Sequence, residues 1–274
     1  MNKKILVIPN SLENLSDILK TNVDGIILSI KDLYVNSNVY FTIDDIKSII
    51  NLTFKEVCIS INKIMHNEDL ELLERTLIAL NKLNISKIFF YDLSVLNMVK
   101  RFNINKELVI FQDHLNASSY SNNFYKRRGI NYAVITNDIT KDEINEISKY
   151  NRLMLISYGY LPIFYSRRYL ISNYLKYINK DKVNDIYYIK HNEDKYIIKE
   201  EDYGTTIYTK EPIDLINDIN DINVEYIILN LSFTKEEEVL SILNKYLNNT
   251  KDDKEHYRGF IDRKTVYKVE DYEY

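Results

Sequence analysis

Short apolar runs recur along the chain, each followed by a stretch in which apolar residues return every three or four positions. The first pattern reads as a strand buried on both faces. The second reads as a helix with one face on a core. Strands are expected at residues 4–9 (KILVIP), 25–30, 56–61, 87–91, 107–111, 131–136, 152–157 and 224–230. Helices fall between them. One runs over 11–20, with Ser11 as N-cap and Leu12, Leu15, Ile18 and Leu19 on one face. Thr42 with Asp45 and Thr140 with Glu143 have the spacing of capping boxes that open helices, and Thr234 with Glu237 opens the last one. Residues 68–83 and 94–100 are amphipathic, and 118–128 ends at Gly129 with Lys126, Arg127 and Arg128 in its last turn. A further helix is expected from Pro212 to about residue 220.

The seventh and eighth strands are separated by something different. Residues 185–199 read as a hairpin around His191-Asn-Glu-Asp194, and 205–209 as a third strand. Eight strand–helix units with near-continuous apolar strands predict an α/β fold, a closed (β/α)8 TIM-like barrel with a small β-rich insertion before the last unit. The expected organisation is a barrel over residues 1–250, with the insertion at 180–210. A charged tail follows at 251–274 with a short apolar–aromatic piece, RGFIDRKTVYKV.

Composition narrows the function classes. A net charge of -4, from 36 basic and 40 acidic residues, gives no global pull toward nucleic acid or membrane, so any basic site must be local. The single cysteine, Cys58, excludes a disulfide framework and an all-cysteine metal or iron–sulfur site within the chain. The apolar run near the N-terminus stops at Pro9, too short for a signal-peptide core or a membrane span. The expectation is a soluble, cytoplasmic protein without a membrane partner. The 24 tyrosines accompany abundant Asn, Ile and Lys and scarce Gly, Pro and Ala, the bias of AT-rich codons. Most of them therefore carry no functional signal of their own.

In barrels of this kind chemistry sits where the strands end at their C-terminal side. Those ends carry Asn10, Ser29, Asn62, Asp92, Gln112, Asp113, Thr136, Tyr158 and Asn230. The ring is rich in amides and hydroxyls and suits hydrogen bonding of a polar ligand. Such residues also start loops and cap helices, which is their commoner use. Asn62, Asp92, Asp113, His114 and Tyr158 are the candidate catalytic residues. The four histidines, His66, His114, His191 and His256, show no ligand spacing, so no metal is expected. Cys58 lies inside an apolar strand, and no GxSxG turn is present.

One stretch combines features found nowhere else in the chain. In RLMLISYGYLPIFYSRRYLISNYLKY, residues 152–177, a strand runs to Gly159 and Pro162, and Arg167 and Arg168 follow among dense aromatics. Arginine beside stacked tyrosines is a way to hold phosphates and bases of an unpaired RNA segment, with Arg167, Arg168, Tyr165, Tyr169 and Asn173 as the binding set. The alternative is an arginine paired to a loop carboxylate with the tyrosines packed on the barrel.

This stretch resembles the signature of the collagenase-like peptidase family known as peptidase U32. Tyr158-Gly159, then Ser166-Arg167-Arg168, then Leu170-Ile-Ser-Asn173-Tyr174 follow the family's order. Upstream, VCISINKIMHNEDL, IFFYDLSVL and NNFYKRRGINYAVITNDITKDEI are similar to its successive strand–helix joints, and GFIDRKTVYKV to its closing piece. The chain departs from the pattern at several places. Tyr158 stands where the family usually has His, Asn137-Asp138 where it has Arg-Glu, and Pro162 and Tyr169 where many members have cysteines that bind an iron–sulfur cluster.

The resemblance implies the short, cluster-free branch found in Gram-positive lineages, with no cofactor held by this chain. Members of the wider family are implicated in oxygen-independent hydroxylation, including formation of 5-hydroxyuridine at the tRNA wobble position. It thus implies a subunit or accessory of tRNA hydroxylation, with tRNA and a longer, cluster-bearing paralogue as partners. The family's label implies a hydrolase, a peptidase of collagenase type. A third expectation is a non-catalytic scaffold for the paralogue.

Overall fold

The structure, a computed structural model, describes residues 3–263. Seven parallel strands follow one another: β1 (Lys4–Ile8), β2 (Gly25–Ser29), β3 (Glu56–Ile61), β4 (Lys87–Phe90), β5 (Glu107–Phe111), β6 (Tyr132–Ile135) and β7 (Leu153–Gly159). Between them run α1 (Leu15–Lys20), α2 (Ile43–Leu52), α3 (Leu70–Asn81), α4 (Leu93–Arg101), α5 (Ser119–Arg127) and α6 (Lys141–Ser148). After β7 come β8 (Pro162–Ser166), α7 (Leu170–Tyr177), β9 (Ile186–His191), β10 (Asp194–Glu201), β11 (Gly204–Tyr208) and β12 (Ile213–Asp214). The eighth barrel strand is β13 (Tyr226–Asn230), which pairs in parallel with both β7 and β1 and closes the ring, and α8 (Glu236–Leu247) follows it.

The expected (β/α)8 barrel is therefore the fold. The strands are apolar at every position because one face lines the barrel and the other meets helices. On β2, Ile26, Ile27 and Leu28 are all fully buried. Each such side chain contributes about 1.5–3 kcal/mol relative to exposure. The two capping boxes at Thr42/Asp45 and Thr140/Glu143 form as their spacing predicts. No helix among the described residues is long and apolar enough to cross a membrane.

Several local expectations give way to tertiary context. The first helix begins at Leu15, because Ser11 Oγ accepts from Asn14 N at 3.2 Å and closes a turn ahead of it. Pro212 opens no helix: Ile213 and Asp214 pair antiparallel with Gly159 and Tyr158, and turns follow. Thr234 does not cap α8, which starts after Lys235 with three glutamates in its first turn complementing the helix dipole.

The insertion is larger than its sequence signal. A four-stranded antiparallel sheet in the order β8-β11-β10-β9 begins at Pro162, so the arginine–tyrosine stretch belongs to it. Gly159 makes the exit from the barrel. Its φ is +132°, and a Cβ there would lie 2.3 Å from the Asn230 carbonyl oxygen, so only glycine fits.

Residues 251–263 return along the barrel wall. Asp214 N donates to Tyr257 O at 3.0 Å, Lys141 N donates to Ile261 O at 2.8 Å, and Ile261 is buried. The second half of the expected apolar–aromatic piece, from residue 264, lies outside the described residues.

Candidate functional site

The insertion sheet sits on the C-terminal mouth of the barrel. Glu201 on β10 accepts from Asn36 N at 2.7 Å and Tyr40 OH at 2.5 Å, and pairs with Lys199 at 2.7 Å. Thr206 on β11 donates to Asn36 Oδ1 at 2.7 Å. The Tyr203 ring lies 3.9 Å from Lys63 Nζ, whose charge is also held by Asp69 at 2.6 Å. These bonds tie the sheet to the loops after β2 and β3.

What remains open is a cleft of about 240 Å³ between β8 and the ends of β3, β4 and β5. Asn36, Asn62, Ile64, Tyr91, Asp113, His114, Phe164 and Tyr165 are among the residues that line it. A wider groove of about 870 Å³ lies at the opposite end of the barrel. There Arg152 forks onto Glu225 at 2.8 Å, which pairs those two charges with each other. The floor beside it is closed by buried Lys87, which bonds to Glu56 and lies 3.2 Å from Glu107. That end has the character of a structural plug, and the mouth is the candidate site.

His114 is the centre of the mouth's electrostatics. Its Nδ1 is 2.5 Å from Asp138 Oδ2, and its Nε2 is 3.0 Å from the Pro162 carbonyl oxygen. Both neighbours are acceptors, so both ring nitrogens are called on to donate, which favours the imidazolium. The hydrogen bond to Asp138 accordingly raises the His114 pKa. Burial pushes the Asp138 carboxyl up, but its bonds to His114 and to Thr136 Oγ1 at 3.0 Å hold it below the usual range.

Asp113 behaves in the opposite way. It makes no hydrogen bond to a described residue, and more than a third of its surface is open. Protein nonetheless crowds the carboxyl enough that burial pushes it up to about 6, Asp138 adding to the rise and His114 opposing it. Two carboxyls that feel each other's charge thus have pKa values driven apart, an arrangement suited to proton transfer.

The other candidates are committed elsewhere. Asn62 lines the cleft, but its amide clamps the Val35 backbone, accepting from N at 2.7 Å and donating to O at 2.9 Å. Asp92 caps α4 through Ser94 N at 2.8 Å and accepts from Met65 N at 3.1 Å. Tyr158 is buried edge-on to Tyr246, and burial pushes its phenol up to about 12. Cys58 is buried, and burial pushes its thiol up to about 12. Among the described residues no group of three or more His, Cys, Asp and Glu side chains is placed to hold a metal ion.

Of the RNA-binding set, only Tyr165 lines the cleft. Its hydroxyl donates to Tyr203 O at 2.9 Å, and Tyr169 OH donates to Asp202 O at 2.8 Å, so both rings stand over the β10–β11 turn while remaining exposed. Arg167, Arg168 and Asn173 are exposed. Neither arginine is in an ion pair with a described residue, so no loop carboxylate among those residues holds either of them. Arg167 follows Tyr165, which lines the cleft, by two positions, about 7 Å at the rise of a strand. The N-terminus of α7 beside them is already filled by buried Glu200, which accepts from Ile171 N at 2.7 Å and Ser172 N at 3.2 Å. Asp138 and the Pro162 carbonyl were not among the sequence candidates. The first was noted only as a departure from a family pattern, and a backbone acceptor has no sequence signal.

The sequence profile described as peptidase family U32 matches residues 10–271. No curated protein sequence matches the chain. Among solved structures, that of a U32 peptidase is similar at 11% identity with a TM-score of 0.54, over 84% of this chain and 93% of the other. Orotidine 5'-monophosphate decarboxylase from Methanocaldococcus jannaschii is similar at 13% identity with a TM-score of 0.50, over 92% of this chain and 100% of the other. At these identities the likenesses speak for the barrel fold alone.

Proposed function

The chain belongs to peptidase family U32, and on that premise we propose that it is a subunit or accessory of tRNA wobble-uridine hydroxylation. In this reading it holds RNA at the barrel mouth, and a longer paralogue supplies the redox cofactor. The observation that carries the reading is the pair Arg167 and Arg168, exposed without an ion-pair partner among the described residues, just past the end of β8, the strand that lines the acid–base cleft. Free guanidinium groups flanked by exposed tyrosines match the phosphates and bases of a single strand. The resemblance to hydroxylating members supports the reaction class, and in this reading the cluster belongs to the partner, since Cys58 is the one cysteine of the sequence. Nucleoside mass spectrometry of tRNA from a deletion strain tests it. Loss of 5-hydroxyuridine is expected, and an unchanged level overturns the reading.

A second reading, peptidase activity, is favoured by one feature. β8 is an edge strand beside the cleft, where an extended peptide could add as a further strand opposite Asp113. Cleavage of a peptide by the purified chain, abolished by Asp113→Asn, is the result it requires.

A further inference from the structure

We propose that the cleft at the barrel mouth binds an organic cation, a protonated amine or guanidinium on an apolar stem. Asp113 supplies the counter-charge, and the Tyr91, Phe164 and Tyr165 rings supply walls. The site is one that neither reading above assigns, and it depends on neither. Among the described residues that line the cleft, Asp113 and His114 are the only acidic or basic ones, and no lysine or arginine joins them. His114 is already spent on Asp138 and on the Pro162 carbonyl. Glu201, the carboxylate under the insertion sheet, is spent on Lys199, Tyr40 and Asn36. Asp113 is left without a hydrogen bond or an ion pair to a described residue. An anionic group in the cleft would meet that carboxylate with no basic side chain to hold it. A cation would bring the charge that the cleft lacks.

Burial pushes the Asp113 carboxyl up to about 6, so at pH 8 it is ionised at a cost that an incoming positive charge relieves. The walls suit the rest of such a ligand. Burial raises the Tyr91 phenol, and the Asp113 charge and Tyr165 raise it further, which brings the three groups close together. Tyr165 is fixed by its hydroxyl bond to Tyr203 O at 2.9 Å. An aromatic face attracts a cation within about 6 Å of its centre. Ile64, Leu115, Ile163 and Phe164 are exposed apolar side chains of the same cleft, a surface that an alkyl stem covers. The volume, about 240 Å³, is below the roughly 300 Å³ at which pockets for whole drug-sized ligands begin, so the fit is to a group the size of one side chain. Two sources share this chemistry: a free amine, and the basic side chain of a peptide lying along the free edge of β8.

The test uses the full chain at pH 8 and calorimetric titration with n-pentylammonium, n-pentanol and pentanoate, one stem with a positive, a neutral and a negative head. Pentylammonium is expected to bind about tenfold more tightly than pentanol, one charge-assisted hydrogen bond's worth, and pentanoate most weakly. In Asp113→Asn, pentylammonium should fall to the level of pentanol, with pentanol unchanged. Equal binding of pentylammonium and pentanol by the wild-type chain overturns the inference, as does no binding of pentylammonium or a preference for pentanoate. A pentylammonium preference that survives in Asp113→Asn overturns it too, since general attraction to an acidic chain would then explain it. None of these outcomes touches the RNA reading or the peptidase reading. The wild-type comparison of the three heads stays decisive if the variant misfolds, since it alters only the ligand. The peptide Ac-Ala-Ala-Lys-Ala-Ala-amide and its norleucine counterpart separate the two sources. A lysine peptide that binds more tightly than both its counterpart and pentylammonium assigns the cation to a chain along β8, and one no tighter than pentylammonium assigns it to a free amine.

Discussion

His114 and Asp138, brought together from the ends of neighbouring barrel strands at 2.5 Å, lock the first strand of the insertion to the barrel, because the other face of the same imidazole holds the Pro162 carbonyl. His114 thereby acts as a positioning residue for β8 and leaves Asp113 as the carboxyl free to meet a ligand. The pair is about half exposed, so solvent screening keeps its contribution near 1 kcal/mol. The His114 pKa is raised in the fold, so its stabilisation is complete below the unfolded value of about 6.5 and is lost as pH rises through the raised value. Asp138 is lowered, so its share is present above about 3.9 and is lost as pH falls through the depressed value. His114→Ala should therefore cost about 2 °C in Tm near pH 5.5 and much less near pH 9, measured by thermal unfolding at both. An equal cost at both pH values would show that the imidazolium bond contributes nothing.

Gly159 has no tolerated substitute. Alanine there meets the Asn230 carbonyl at 2.3 Å and must hold a φ of +132°. Gly159→Ala should lose at least about 2 kcal/mol in denaturant unfolding. A loss below 0.5 kcal/mol would mean that the exit from β7 is not fixed as described.

What the sequence made legible was local or periodic. The barrel strands read directly because each is apolar on both faces, and the boxes at Thr42 and Thr140 read because their partners are three residues away. β8 did not read. Its residues are largely exposed, so they carry no alternation, and its pairing partner β11 lies some forty residues on. The same non-local pairing overrode the helix signal at Pro212, where Ile213 joins Gly159. In the site, Asp113 and His114 were visible as residues at the end of a strand. That His114 would be spent on Asp138 and a backbone carbonyl depended on how the insertion folds back, which no spacing encodes.

Asp92 tests the division between caps and chemistry. Both carboxyl oxygens are used by backbone N–H groups, from Ser94 and Met65. Asp92→Ala should cost about 1 kcal/mol in stability. RNA binding should stay unchanged, whereas Asp113→Leu should have the reverse profile. Paired unfolding and RNA-binding measurements on the two variants distinguish the roles, and loss of RNA binding in Asp92→Ala without loss of stability would reassign it to the site.

Lys87 on the barrel floor is nearly inaccessible at 2% exposure, bonded to Glu56 and lying 5.0 Å from the centre of the Tyr226 ring. Burial would lower its pKa, but the hydrogen bond to Glu56 and the neighbouring negative groups raise it, so it is charged. Removing it takes one partner from Glu56, which keeps Lys4 at 2.9 Å, and one from the more exposed Glu107. Lys87→Ala should destabilise by about 3 kcal/mol, and Lys87→Met in a background of Glu56→Gln by less. The comparison is made by chemical denaturation, and similar losses in both would argue for packing alone.

Arg167 and Arg168 give the cleanest separation of fold from function. Both are exposed and outside every ion pair of the described residues, so their joint replacement by alanine should change unfolding free energy by less than about 0.5 kcal/mol per site. Each guanidinium that meets a phosphate displaces condensed counterions, and for a single strand each contact contributes about 0.7 to the slope of log K against log salt. The double variant should therefore bind every RNA more weakly and show a salt slope shallower by about 1.4. Titrations of wild type and double variant from low to moderate salt measure both quantities. A parallel salt dependence in the two proteins would remove these arginines from the interface.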